Sequence, residues 1–175
     1  NNATTATLNP LTNAYSLTAN PGWPAVAGAG NILRPWGLKI YKGRGYLGVV
    51  EDASTTRNFD HLIGYVLSFN PNNLNEPFIT ETSFSLNYRT STNFSLSTRW
   101  RPWTNSWSTV LTDLGNPSDV PQVYAQPIIS DIEFDENGGL NVSIMDRYGH
   151  QMGSEQPVPE SGNGVLGNGR SVGDL

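Results

Sequence analysis

Trp36-Gly37-Leu38-Lys39-Ile40-Tyr41-Lys42-Gly43-Arg44-Gly45-Tyr46-Leu47-Gly48-Val49-Val50 decides the fold. From Trp36 to Tyr41 apolar residues recur at every second position, the period of a half-buried strand. Lys42 to Gly45 breaks the alternation and Tyr46 to Val50 resumes it, so the stretch reads as a β-hairpin around a glycine-containing turn. Glycine supplies the positive φ that such a turn needs at no steric cost.

Downstream, Glu51 to Asp60 is polar and predicts a loop, and Leu62 to Phe69 predicts a strand stopped by Asn70-Pro71-Asn72-Asn73. Phe78–Thr82 and Phe84–Tyr88 read as short strands, while Arg89 to Asn116 is aromatic and irregular. Ile128 to Phe134 alternates again: Ile128, Ser130, Ile132 and Phe134 are expected on one face, with Ile129, Asp131, Glu133 and Asp135 on the other. Asp135 to Gly139 is a turn, and Leu140 to Met145 is the return strand. Two such hairpins, roughly ninety residues apart, suggest a repeated blade-like unit. No helical stripe of useful length occurs, and the tail arrives at Leu175 without a closing strand. The expected class is all-β: an extended lead-in over 1–35, antiparallel hairpins arranged as β-propeller-like blades over 36–153, and a Gly/Pro-rich tail over 154–175.

Composition narrows the function. Charged residues make up 14% of the 175, well below the roughly 25% usual for soluble domains, and Asn, Ser and Thr fill the gap. That balance suits a secreted or cell-surface protein. A net charge of -5 with ten Lys plus Arg excludes a nucleic-acid partner, which needs a concentrated basic patch. Arg34, Lys39, Lys42 and Arg44 are the densest basic group and read as a solvated hairpin turn. The absence of cysteine removes disulfides and thiol chemistry. No apolar run approaches the roughly 20 residues of a transmembrane helix. A chain opening Asn1-Asn2-Ala3 is expected to be a mature or trimmed product whose targeting segment is gone.

Several motifs follow one another in a recognisable order: Arg34-Pro35-Trp36-Gly37-Leu38-Lys39, Gly45 to Val50, Leu62 to Pro71, Gln126 to Asp135, and Met145-Asp146-Arg147-Tyr148-Gly149-His150-Gln151. Over residues 33–153 and the Val172-Gly173-Asp174-Leu175 end, the chain resembles the β-propeller-like region of large bacterial surface proteins that also carry SdrD B-like repeat domains. The resemblance implies an extracellular location, a propeller architecture and a role in surface or matrix assembly, with no established activity. The chain departs from the pattern in lacking cysteines near 30–52 and in spanning only part of a propeller. A closed propeller takes at least four blades of about 40–50 residues. An open sheet edge invites another strand, so other chains, or copies of this one, are the expected partners.

Four groups of residues offer candidate sites, and each also has a plainer role. Asp131, Glu133, Asp135 and Asn137 offer the oxygen ligands calcium prefers, against a solvated strand face and an Asx turn. Asp146, Arg147 and His150 hold the parts of an acid–base set, against an Arg–Asp pair pinning a strand end with His150 in the next turn. Trp100, Arg101, Trp103 and Trp107 form a cluster in which an arginine between indoles could bind a ligand or simply pack; Trp36 is expected in the core. Asn2, Asn93 and Asn141 fit the glycosylation pattern. The expected function is an extracellular structural or adhesive protein without catalysis and without a required cofactor. A calcium-dependent propeller hydrolase of the lactonase or phosphoesterase type is the alternative, and a carbohydrate-binding module using the tryptophans is a third class.

Overall fold

The computed structural model describes residues 7–9, 14–16, 22–90, 99–115, 123–157, 166–167, 169 and 171–174. A small ribbon pairs β1 (Thr7–Asn9) with β2 (Ala14–Ser16). The central hairpin is β3 (Leu33–Tyr41) and β4 (Arg44–Glu51). Its turn places Lys42 at φ 46 and Gly43 at φ 80, the paired positive values whose twist matches that of the flanking strands. β5 (Ile63–Phe69) and β6 (Ile79–Ser85) extend it into a four-stranded antiparallel sheet of order β3-β4-β5-β6. The two short strands expected between Phe78 and Tyr88 are thus one strand, carrying a bulge opposite Val66 and Leu67.

The second hairpin, β7 (Pro127–Phe134) with β8 (Leu140–Asp146), belongs to a three-stranded sheet. Its third member is β11 (Gly173–Asp174), paired with Met145 and Ile144. The expectation of a tail with no closing strand is corrected by that pair. β9 (Gln156–Pro157) and β10 (Leu166–Gly167) form another short pair. Among the described residues the chain is mostly β, and the two larger sheets close into neither a barrel nor a propeller.

The sheets join where β7 runs along β3. Gly37 abuts Ile129 to Asp131, Lys39 Nζ meets both oxygens of Glu133 at 2.5 and 2.6 Å, and the Tyr41 ring stacks on Phe134 at 4.2 Å. Both strands are bulged there: β3 between Pro35 and Leu38, β7 between Ile129 and Asp131. A bulge adds one residue and shifts the alternation that follows it. Ile129 and Ile132, expected on opposite faces, therefore both enter the main core, with Val50, Val66, Leu62, Leu86 and Trp100. The two-faced reading of Ile128 to Phe134 fails at Ser130 for this reason.

The other face of the four-stranded sheet carries Val49, Tyr65 and Leu67, covered by Trp23 and Phe78. Trp23 comes from the lead-in, which Glu51 pins. That carboxylate, fully buried, accepts from Ala27 N at 2.8 Å, Gly28 N at 3.0 Å and Asn31 Nδ2 at 2.7 Å. Two short helices also appear in segments where no helix was expected: α1 (Trp107–Asp113), capped by Ser106, and α2 (Arg147–Met152), capped by Asp146. At seven and six residues they are too short to print a periodic stripe. Val110, Tyr124, Tyr148 and Met152 pack them together. None of the described helices is long and apolar enough to cross a membrane.

Candidate functional site

Where β4 ends, Asp52 lies fully buried and organises its surroundings. Its Oδ1 accepts from Ile32 N at 3.0 Å and Ser54 N at 2.9 Å, and its Oδ2 accepts from Arg34 Nε at 2.8 Å. Its carbonyl accepts from Trp103 N at 2.9 Å. Trp103 is in turn fixed from β7, its Nε1 donating to Pro127 O at 2.9 Å. Ala53, next in the chain, sits at φ 49, a left-handed conformation that costs a non-glycine residue roughly 1–2 kcal/mol and persists only where contacts enforce it.

From the opposite side comes Arg147, the first residue of α2. Its Nε donates to Gln126 Oε1 at 3.0 Å, and its terminal nitrogens donate to Thr104 O at 3.0 Å and to Asn105 Oδ1 at 3.0 and 3.1 Å. Gln126, itself fully buried, donates Nε2 to Thr104 O at 3.1 Å. Every one of these acceptors is neutral. The Arg147 guanidinium lies 4.4 Å from the Trp103 ring centre and that of Arg34 lies 5.3 Å from it. Burial first, and then the like charge of Arg34, push the Arg147 pKa down to about 10 against the pull of Asp146 and Asp52.

Arg34, Ser54, Trp103, Thr104, Asn105 and Arg147 line a cleft of about 330 Å³. Thr104 and Asn105 are also one wall of a neighbouring chamber of about 390 Å³, whose other walls include Trp107, Val110, Tyr148 and Met152. Two arginines thus share one indole in a cleft that has Thr104 and Asn105 in common with a partly apolar chamber.

Asp146, Arg147 and His150 separate. Asp146 does not pair with Arg147 as expected. Its Oδ1 accepts from Tyr148 N and Gln126 N, both at 2.9 Å, while Arg147 turns to the cleft and His150 is exposed on α2. Burial pushes the Asp146 carboxyl up to about 6, against the opposing pull of surrounding backbone amides.

The tryptophans divide as well. Trp100 is fully buried in the core, Trp103 lies beneath the arginines, and Trp107 lines the chamber. Arg101 does not lie between indoles; it faces the Tyr124 ring at 5.3 Å. Trp36, expected in the core, is 56% exposed because the bulge turns it outward. Arg34, expected in a solvated turn, is a strand residue paired with Asp52.

Asp131 and Glu133 lie on the exposed side of β7, Glu133 holding Lys39. Asp135 Oδ1 accepts from Asn137 N at 2.8 Å and Gly139 N at 2.7 Å, the Asx-turn role. Among the described residues no group of three or more His, Asp or Glu side chains is placed to hold a metal ion. Asn141 is exposed in β8; Asn2 and Asn93 lie outside the described residues.

The cleft is built from residues that sequence reading named separately, Arg34, Trp103 and Arg147, together with Asp52, Thr104, Asn105 and Gln126, which it passed over. Asp52 and Gln126 each adjoin a strand, and a polar residue beside an apolar run was the available signal. The chain matches no family model, no curated protein and no solved structure.

Proposed function

We propose that the chain is a non-catalytic structural or adhesive β domain of an extracellular surface or matrix, assembling through the outer face of its four-stranded sheet. One observation carries the reading. Trp36, Leu38 and Ile40 leave 56, 59 and 55% of their surface exposed at alternate positions of β3. Leu38 opposes Leu47 in the register, so the exposed strip borders the buried patch of Val49, Tyr65 and Leu67 that Trp23 and Phe78 cover. Contiguous apolar surface of this kind marks an interaction site far more often than scattered single residues do.

The occupant is a second copy of the chain. An uncharged apolar strip is self-complementary across a two-fold axis, where a charged one would repel its own image. The sparse charge of the sequence supports an extracellular setting. A four-stranded antiparallel meander is also the unit of a propeller blade, which supports reading the assembly as propeller-like. A structural role is further supported by the uses that Asp146 and Arg147 are given, one capping a helix and the other walling the cleft.

Sedimentation of the full chain across a concentration series tests the reading. Reversible self-association is expected, with Trp36→Ser, Leu38→Thr and Ile40→Thr together giving a folded monomer. A chain that stays monomeric at every concentration, or a triple variant that associates as well as the parent, overturns it.

A further inference from the structure

We infer that the cleft beside Trp103 binds a small organic carboxylate, its head between Arg34 and Arg147 and its apolar body in the chamber beyond Thr104 and Asn105. The inference stands apart from the assembly reading, since the cleft and the β3 strip share no residue.

Charge comes first. Among the described residues Asp52 is the one carboxylate that touches either arginine, and it uses Oδ2 on Arg34 Nε and Oδ1 on two backbone amides. Among the described residues, no hydrogen bond reaches the terminal nitrogens of Arg34, which line the cleft with a third of the side chain exposed. Among the described residues Arg147 is held only by neutral oxygens, and burial disfavours its charge. Asp146 offsets part of the charge of Arg147, but its carboxylate is turned onto backbone amides, so the guanidinium donors facing the cleft are only partly matched. A carboxylate monoanion suits that small residual charge better than a phosphate dianion. Guanidinium groups present paired donors in the geometry a carboxylate accepts.

The chamber supplies the rest. Trp107, Val110 and Met152 give it apolar walls, so an ion without an apolar body would leave it unfilled. Tyr148, also in its wall, is 6% exposed, and among the described residues its enclosed hydroxyl has no hydrogen-bond partner.

Isothermal titration of the full chain with phenylacetate, phenylacetamide, acetate and inorganic phosphate provides the test. Phenylacetate is expected to bind at least about tenfold tighter than each of the other three, because the amide lacks the charge, acetate lacks the body and phosphate carries excess charge. Asn105→Asp keeps an oxygen for Arg147 while adding the missing negative charge. It is expected to weaken phenylacetate binding at least about tenfold with no loss of thermal stability. Trp107→Ala is expected to weaken phenylacetate and leave acetate unchanged. Equal binding of phenylacetate and phenylacetamide, phosphate binding as tightly as phenylacetate, unaltered affinity in Asn105→Asp, or no phenylacetate binding at millimolar concentration each overturns the inference.

Discussion

Gly48 and Ile129 meet where no side chain would fit: a Cβ on Gly48 would stand 2.2 Å from Ile129 Cγ2. The contact lies on the seam between the two hairpins, beside the facing bulges of β3 and β7. Gly48→Ala should therefore destabilise the protein by about 1–3 kcal/mol, the usual cost of overpacking a core. Urea unfolding measures it, and in an Ile129→Ala background, which lacks the clashing Cγ2, the further cost of Gly48→Ala should be smaller.

The bulge of β7 rests on Ser130. Its removal would abolish the bulge yet leave Ile129 and Ile132 two apart on the same core face, with Asp131 between them facing out. Deletion of Ser130 should therefore leave the protein folded, at a cost of about 1–3 kcal/mol from the disturbed seam against Gly37, whereas Ser130→Ala should cost less than about 1.5 kcal/mol, losing only a 3.2 Å bond to Ser143 O. Urea unfolding measures both, and near-ultraviolet circular dichroism checks that the aromatic packing survives.

Asp146 sets a pH dependence. Its folded pKa of about 6 lies above the ordinary 3.8, so folding favours the neutral form. The stabilisation from this group is full below the lower value and is lost as pH rises through the higher, by roughly 3 kcal/mol at neutral pH. Asp146→Asn keeps an oxygen for the Gln126 and Tyr148 amides but carries no charge. Its stability advantage over the parent should appear between pH 4 and 7 and grow with pH, as denaturant titrations at several pH values would reveal.

Glu51 holds the lead-in. In Glu51→Gln one oxygen becomes an NH2 group facing a backbone N–H of Ala27 or Gly28. Two buried donors then oppose each other, at a cost of about 1–3 kcal/mol. Hydrogen exchange should accelerate at Ala27 and Gly28 more than at β5.

Both hairpins could be read in the sequence because strand alternation and glycine turns are local signals. The two bulges could not: an extra residue leaves no compositional mark, so strict alternation separates Ile129 from Ile132 and places Trp36 in the core. The short helices escaped because one or two turns print no period. The cleft escaped for a different reason. Arg34, Trp103 and Arg147 meet only through a seam between distant segments, and an arginine beside a turn reads the same whether it is solvated or pinned by Asp52.

The Lys39–Glu133 bond joins residues 94 positions apart, whereas Tyr41 and Arg44 pair across a two-residue turn. The seam is thus closed by contacts far longer in sequence than those within each hairpin. Isolated hairpins form in about 1–10 μs, while long-range pairings slow a chain towards milliseconds or more. Refolding should then show the two hairpins acquiring structure before the interface around Gly48 does, so that the tight fit at that glycine governs how long the finished molecule lasts more than how quickly it begins.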